Sequence, residues 1–263
     1  YNQVIILQEN IITMHMPTYR VTSILNAVSN SEEGHTLSEL TRKTGILTGT
    51  ISPILKTLLE EGFLEMAQTG NRYKIGMQAY YIGLAFSKGS TTLELVRKEM
   101  EKLSKECNET SQLGILRDGE VFYLLKVEGN ESIRLVSEVG GSLPAYATAL
   151  GKAILSRYEA AELRALYPDG LKALTANTVT DMEELNRQIN EVKSSGFSYE
   201  EGESGEHTAC IGTPIYQNGE VVAGLSVVFP IFRKSEEKSE IIRQALIKCK
   251  NNIEKILLNN SLI

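Results

Sequence analysis

The sequence predicts an α+β protein of two domains, a small helical domain followed by a larger one of strands and helices. At 263 residues the chain is long for a single compact core, which favours two domains. Its first part has three short stretches with apolar residues at helical spacing, then two short alternating stretches. Its second part has strand-like stretches joined by the turns "RDGE" and "QNGE", which is typical of a mostly antiparallel sheet.

The first 16 residues are left out of this prediction. Because the sequence does not begin with methionine, residues 1–16 are interpreted as an N-terminal tail that could include residues added to the natural chain. Their apolar runs are interrupted by Gln8, Glu9 and Asn10, so they are too short for a membrane span. They also lack the basic start and the small-residue cleavage site of a secretory signal.

Residues 17–77 predict three short helices followed by a β-hairpin. The first helix has apolar residues at i, i+3, i+4 and i+7. The second starts with a capping box of Thr36 and Glu39 and ends at Gly45, which tolerates the left-handed conformation. A third apolar stripe follows over about 48–61, and "FLEMA" and "RYKI" then alternate as the strands of a hairpin. This order of elements predicts a winged helix-turn-helix.

The third helix carries a proline at position 53. If Thr48 is the N-cap, Pro53 lies inside the helix, lacks a backbone donor and crowds the carbonyl group of Gly49. If Ser52 is the N-cap, Pro53 occupies the first helical position, where proline is well tolerated. We expect a compromise, in which the first turn is distorted and Gly49 absorbs the strain.

A linker helix and a larger domain are predicted after the hairpin. The linker helix, 78–108, has apolar residues at helical spacing: Val96, Met100, Leu103 and Cys107. In the larger domain, 109–263, we expect an antiparallel sheet flanked by helices. One of these helices is predicted to begin with a capping box of Thr180 and Glu183.

The charge balance limits how this protein can contact nucleic acid. Its 27 basic and 33 acidic residues give a net charge of −6, which argues against coating DNA or an anionic membrane by charge alone. Basic and acidic residues also balance within 18–76. Any DNA contact must therefore be local, and we expect a dimer that doubles the contacts.

A helix-turn-helix places its second helix in the major groove, where N-terminal side chains meet base edges. Hydroxyl groups can contact bases or phosphates, and a lysine can neutralise a phosphate. With two residues from the hairpin, the predicted DNA-contacting residues are Thr36, Ser38, Thr48, Thr50, Ser52, Lys56, Asn71 and Arg72. The alternative is a winged helix that serves only for dimerisation.

The cysteines indicate a reducing, cytoplasmic compartment. Cys107, Cys210 and Cys249 lie far apart and form neither a CxxC pair nor an even-numbered framework. His207 and Cys210 are three residues apart in an acidic segment, so a metal site or a Cys/His nucleophile is one interpretation. A cysteine that begins an apolar strand is more often a core residue, and we predict no catalytic residue, metal or other cofactor.

Small residues are concentrated in "EVGGSLPAYATALGKAIL", where they allow close approach of two backbones. They include Ala147, Ala149, Gly151 and Ala153. They favour either close packing of a helix on the sheet or a ligand cavity beside that helix, and the sequence leaves both alternatives open.

Four stretches together resemble the IclR family of bacterial transcriptional regulators, from about Tyr19 onward. They are "LSELTRKTGI", "LLEEGFLE" with "RYKIG", "LPAYATALGKAIL" and "ACIGTPIYQNGEVVAGLSVV". The resemblance implies an N-terminal winged helix, a linker helix and a C-terminal effector-binding domain related to GAF domains. It also implies dimers, often paired into tetramers, that bind a double-stranded DNA operator and respond to a small metabolite, with no membrane partner.

The resemblance also implies which residues bind the effector. Carried onto this chain, they are Ala149, Leu150, Glu200, Cys210, Ser226 and Val228. This family commonly has glycine at the position of His207 and frequently arginine at that of Pro53. Pro53 is therefore expected to remove a charged DNA contact.

The expected effector is neutral and hydroxyl-bearing, or an amine. Glu200 would repel an anion unless it is protonated or paired, and the implied positions add no arginine or lysine. Two other functions stay open at this point. One is a GAF-like, thiol-dependent enzyme that uses Cys210 or Cys107. The other is a regulator that has lost DNA contact through Pro53 and acts only through a partner.

Overall fold

The computed structural model describes residues 4–7, 10–29, 31, 33–68, 70–89, 91–129 and 138–262. The chain forms two compact units, Tyr1–Ser90 and Thr91–Ile263. The elements of the smaller unit are β1 (Val4–Leu7), β2 (Asn10–Thr13), α1 (Met16–Ser29), α2 (Leu37–Thr44), α3 (Thr48–Glu60), β3 (Leu64–Met66), β4 (Tyr73–Ile75) and α4 (Met77–Gly89). Those of the larger unit are α5 (Thr91–Cys107), β5 (Thr110–Arg117), β6 (Glu120–Val127), β7 (Ser142–Pro144), α6 (Ala149–Leu155), α7 (Ala160–Leu166), α8 (Met182–Ser195), β8 (Ser198–Glu201), β9 (Thr208–Gln217), β10 (Glu220–Pro230) and α9 (Glu236–Leu257).

The smaller unit has the predicted winged helix-turn-helix. Its core is formed by the apolar faces of α1, α2 and α3 together with the first strand of the wing: Ile24, Val28, Leu40, Ile46, Ile51, Leu55, Leu58 and Leu64. Strands β3 and β4 form the wing as an antiparallel pair, with Leu64 opposite Ile75. Strands β1 and β2, in the tail that was left out of the fold prediction, pair as a separate hairpin.

Helix α2 begins and ends where the sequence predicts. The Thr36 hydroxyl accepts a hydrogen bond from the Glu39 amide at 3.3 Å, and Glu39 Oε2 accepts one from the Thr36 amide at 2.8 Å. Gly45 has φ 69°, and its amide donates to the Thr41 carbonyl group. The capping box and the left-handed end residue are therefore confirmed.

Both N-caps that were predicted for helix α3 are wrong. The N-cap is Leu47, which makes no side-chain cap, so neither Thr48 nor Ser52 fills that role. Pro53 lies inside the helix and removes the bond to the Gly49 carbonyl. The Leu47 carbonyl accepts from two successive amides at 2.9 Å each, which is common at helix ends, so the distortion expected from Pro53 stays a prediction. A Cβ on Gly49 would meet no atom within 4 Å, so space does not require glycine there.

The stretch predicted as one linker helix, 78–108, contains two helices, α4 and α5. The two belong to different compact units. Helix α5 contributes Val96, Met100 and Leu103 to the core of the larger unit, so it packs against this unit over much of its length. The apolar spacing correctly predicted a helix here, but its apolar residues are buried in the core of the larger unit.

The larger unit is built on a six-stranded antiparallel sheet with the order β7-β6-β5-β10-β9-β8. One face packs on α5 and α9, and the other carries α6, α7 and α8. Successive side chains of a strand point to opposite faces. On β9, Ala209 and Ile211 therefore join the core under α9, while Cys210 faces the side of α6.

Glycines bring α6 unusually close to the sheet and to the turn before it. A Cβ on Gly224 would lie 2.6 Å from the Leu150 carbonyl oxygen, and one on Gly212 would lie 2.7 Å from that of Ala149. Gly151 is tighter still, at 2.2 Å from the Ala145 carbonyl oxygen. Close packing, one of the two alternatives for the small residues, is therefore realised here.

The capping box predicted for α8 is wrong by one residue. The helix begins at Met182, and its N-cap is Asp181, whose carboxylate accepts from the Glu184 amide at 2.8 Å. Two capping patterns stand one residue apart in "TDMEE". Leu185, Ile189 and Val192 are buried on one face, as their spacing predicts.

Candidate functional site

The predicted DNA-contacting residues differ in how accessible they are. Ser38, Thr48, Lys56 and Asn71 are exposed, and the side chains of Thr50 and Ser52 are half-buried. The Ser52 hydroxyl donates back to the Thr48 carbonyl at 2.8 Å. Lys56 is 3.8 Å from Glu60, but both are well exposed, so this ion pair leaves the ammonium group available.

Thr36 and Arg72 have structural contacts of their own. Thr36 is the N-cap of α2, and Arg72 Nη1 donates to Glu39 Oε2 at 3.1 Å and to the Gly34 carbonyl at 2.8 Å. Hydrogen bonding to the Thr36 backbone, followed by the charge of Arg72, lowers the pKa of Glu39. These bonds attach the wing to α2. Arg72 therefore positions the wing, whatever else it contacts.

The larger unit has a cavity of about 360 Å³ between α6 and the sheet. The predicted effector residues Ala149, Leu150, Cys210, Ser226 and Val228 all line it. Pairing places Ser226 opposite Gly212 and Val228 opposite Cys210, so β9 and β10 present these residues on one face. The segment of small residues therefore does both things that were predicted as alternatives: it packs closely at Gly151, and it lines a cavity.

Glu200 does not line this cavity. It lies opposite Cys210 on the outer strand β8. Its Oε1 accepts the amides of Glu203 at 2.5 Å and Ser204 at 3.0 Å, which fixes a loop whose residues 204–207 line the cavity. Burial raises the pKa of this carboxyl group. Glu200 therefore acts on the cavity indirectly, because it holds the loop that lines it.

Sequence reasoning missed several lining residues: Gln112, Tyr123, Leu143, Thr148 and Phe232. It singled out His207, which also lines the cavity, as a candidate for metal binding or catalysis. Gln112 carried little signal, since it follows two other polar residues at the start of its strand. Burial raises the pKa of the Tyr123 phenol, so this group stays a neutral donor. Phe232 lies at the cavity yet is 80% exposed, which places its ring at the mouth.

The polar groups of the cavity are mostly neutral. Gln112, Tyr123, Thr148 and Ser226 are each at most 4% exposed. Among the described lining residues there is no lysine or arginine, and Glu206 and His207 are exposed. Such a lining suits a ligand that donates and accepts hydrogen bonds without carrying a full charge.

The thiols do not have the character of nucleophiles. Burial raises the pKa of Cys107 to about 12 and that of Cys210 well above its usual value. Both are therefore protonated thiols at neutral pH. Within the described residues, no three side chains that ligate metals converge, and His207 and Cys210 gain no third partner of that kind. No described helix combines the length and apolar character needed to cross a membrane.

Comparison with known proteins identifies the family of both domains. The family model described as "Bacterial transcriptional regulator IclR C-terminal" matches residues 89–255, and the "IclR helix-turn-helix domain" matches residues 19–67. The chain belongs to the IclR family of transcriptional regulators. It is thus a DNA-binding regulator with a C-terminal effector-binding domain and not an enzyme, and nothing supports the thiol-enzyme alternative.

Relatives of this IclR-family chain match over most of their length. The transcriptional regulator KdgR of Escherichia coli is 28% identical over 225 residues, which cover 83% of this chain and 84% of KdgR. An IclR regulator structure from Alicyclobacillus acidocaldarius superposes with a TM-score of 0.82 at 23% identity, over 92% of this chain and 99% of the other. An IclR homolog from Microbacterium hydrocarbonoxydans, complexed with 4-hydroxybenzoate, has a TM-score of 0.75 at 25% identity, over 92% and 99%.

Proposed function

We propose that this regulator binds its operator as a homodimer through α3 and the β3–β4 wing, and that a small molecule in the cavity beside α6 changes this binding. The main support is the cavity, which five of the six expected effector residues line. The proposed DNA contacts are made by the exposed residues Ser38, Thr48, Lys56 and Asn71, with Thr50 and Ser52 beside them. We place this function in the cytoplasm, where an operator is accessible.

Exposed apolar residues of α4 support the proposed homodimer. Met77, Tyr80, Tyr81 and Ile82 are between 54% and 61% exposed within one chain. Exposed apolar patches of this kind mark interaction surfaces. A second copy that covers them would bring two reading helices to one operator, and a pair of such dimers would give a tetramer.

Lys56→Ala is expected to weaken operator binding, because it removes an exposed cation from the reading helix. Fluorescence anisotropy with the DNA upstream of the protein's own gene should show a loss of affinity and a salt slope reduced by about 1. Lys105→Ala removes another exposed lysine, on α5, and is the control; it should leave both quantities unchanged. Equal effects of the two changes would contradict the proposed interface.

Pro53→Arg is expected to raise operator affinity by about tenfold, since it adds a phosphate-binding charge at an exposed position of α3. Pro53→Ala restores the backbone donor without the charge, so it isolates the effect of the helix itself. Affinity should follow the order Arg, Ala, Pro in the same anisotropy measurement. No change with arginine would show that position 53 does not face DNA.

We propose a neutral, hydroxyl-bearing effector, which the uncharged lining of the cavity favours. The 4-hydroxybenzoate bound by the Microbacterium homolog carries both a hydroxyl group and a carboxylate. Neutral groups such as the Ser226 hydroxyl can bind the ligand's hydroxyl group without leaving a charge unbalanced in the cavity. The carboxylate would meet no described lysine or arginine of the lining.

A matched pair of compounds tests this effector class. We expect 4-hydroxybenzamide to raise the thermal midpoint by about 4 °C at ten times its dissociation constant, and 4-hydroxybenzoate to raise it less. Ser226→Ala should reduce the shift, because it removes a buried hydroxyl group from the lining. If only the carboxylate raised the midpoint, the proposed class would be wrong.

A further inference from the structure

Strand β10 carries a row of side chains along the effector cavity that changes from polar to apolar. Ser226, Val228 and Pro230 alternate along the strand, so they point to the same face, and all three line the cavity. At a rise of about 3.3 Å per residue, the row from Ser226 to Pro230 spans about 13 Å. Phe232 follows two residues after the end of the strand and also lines the cavity.

The Ser226 end of this row is polar and buried. Ser226 lies opposite Gln112 of the neighbouring strand β5, and both side chains are buried and line the cavity. A ligand atom at this end is removed from water, so it is favoured only if it exchanges hydrogen bonds with these groups. The hydroxyl group of the proposed effector therefore fits this end of the cavity.

The Phe232 end of the row is apolar and open to water. Val228 and Pro230 are buried, whereas the ring of Phe232 is largely exposed at the mouth. The guanidinium carbon of Arg233 lies 5.7 Å from the centroid of this ring. An exposed aromatic ring gains free energy when an apolar group displaces water from it. The mouth therefore favours an apolar group on the ligand.

The backbone that carries Phe232 is fixed on both sides of the ring. The Ile231 amide donates to the His207 carbonyl at 2.9 Å, which joins the turn after β10 to the loop that lines the cavity. Arg233 Nη1 donates to both carboxylate oxygens of Glu109, at 3.3 Å each. Glu109 is buried, so this charged contact attaches the turn to the body of the larger unit. The ring of Phe232 is thus kept at the mouth.

We propose that Phe232 determines the specificity of the effector cavity: the effector has an apolar end that packs on this ring, while its hydroxyl end lies at Ser226. This inference rests on the proposed function, since it concerns the ligand of the same cavity. A ligand that is polar at both ends would leave the ring in water and would place a polar group against Val228 and Pro230. The effector is therefore amphipathic, with its two ends at opposite ends of the β10 row.

Isothermal titration calorimetry on the full chain tests this inference with two compounds of equal size, 4-propylphenol and 4-(2-hydroxyethyl)phenol. They differ only in the last group of the tail, which is a methyl group in the first and a hydroxyl group in the second. We expect 4-propylphenol to bind about fivefold more tightly. Equal affinities, or no binding of 4-propylphenol, would overturn the inference. Compounds that bind as expected but leave operator affinity unchanged would contradict the proposed function and not this inference.

Three variants locate the two ends of the ligand. Phe232→Ala should weaken binding of 4-propylphenol about tenfold and bring the two affinities together, because the packing on the ring is lost. Ser226→Ala should weaken both compounds alike, since both have the same phenol group. Leu258→Ala removes a similarly exposed apolar side chain that is not among the described lining residues, and it should change neither affinity.

Two results with Phe232→Ala would refute the role of the ring. One is an equal loss of affinity for both compounds, which would mean that the ring does not distinguish their tails. The other is unchanged affinity together with a smaller assembly in analytical ultracentrifugation, which would assign the ring to an interface between copies of the chain.

A tryptophan at position 232 reports contact with the ligand directly. The chain has no tryptophan, so Phe232→Trp introduces a single emitter at the mouth of the cavity. Its emission should shift to shorter wavelength when 4-propylphenol binds, because the apolar tail excludes water from the indole ring. Tyr216→Trp, at an exposed position outside the described lining, is the control and should show no shift. The same response at both positions would show that the ligand does not lie against residue 232.

Discussion

Replacing Lys152 by methionine is expected to lower the thermal midpoint of the larger unit by about 10 °C. Lys152 is 1% exposed, and its ammonium group pairs with Glu203, which is 6% exposed. Removing one partner leaves the other charge buried and unpaired, which costs about 3–5 kcal/mol. Each kcal/mol corresponds to about 2–4 °C in a unit of this size. Calorimetry of the full chain would record the transition.

Two further variants distinguish the effect of an unpaired buried charge on stability from the effect of lost packing. Lys152→Met combined with Glu203→Leu removes both charges and should recover much of the lost stability, since apolar pairs often replace buried ion pairs without penalty. Lys193→Met breaks the more exposed ion pair with Glu159 and should change stability by less than about 1 kcal/mol. A double variant as unstable as Lys152→Met alone would show that the unpaired charge is not the cause.

Gly151→Ala is expected to destabilise the larger unit by more than about 3 kcal/mol. Helix propensity alone would favour alanine by about 1 kcal/mol, so the sign of the effect is informative. In this structure the added Cβ would lie 2.2 Å from the Ala145 carbonyl oxygen, and this backbone atom cannot move aside as a flexible side chain does. Chemical denaturation followed by circular dichroism would measure the loss.

Gly49→Ala is the matched control for this effect. Gly49 is also helical, but a Cβ there meets no atom within 4 Å. We expect it to stabilise the smaller unit by about 0.5–1 kcal/mol, because alanine loses less conformational entropy on folding. If both changes acted in the same direction, the close approach of α6 to the preceding turn would not be what requires Gly151.

Much of the smaller unit follows from local sequence patterns. The capping box of Thr36 and Glu39 and the left-handed Gly45 involve bonds between residues at most four apart, so the sequence contains all the partners. The predicted wing also forms as a hairpin between neighbouring strands. The start of α3 relative to Pro53 was predicted wrongly. Both predicted caps use a side-chain hydroxyl group, whereas the N-cap is Leu47, which has none.

The effector cavity was predictable in part. Five of the six expected residues line it, and the family resemblance implied all five. Glu200 does not line it, because β8 is the outer strand of the sheet and the carboxyl group turns toward the loop amides. Gln112 and Tyr123 come from strands β5 and β6, and no short motif connects those strands to α6.

Periodicity and bonds between near neighbours along the chain determined the three helices of the smaller unit, its wing and the capping of α2. The family and the five residues that line the cavity followed from the family resemblance of the sequence. Only the tertiary structure decided that Lys152 meets Glu203, that Arg72 holds the wing to α2, and that Glu200 lies behind the cavity. The first two of these contacts join residues that are 51 and 33 positions apart in the sequence. Such residues meet only when whole helices and strands pack together.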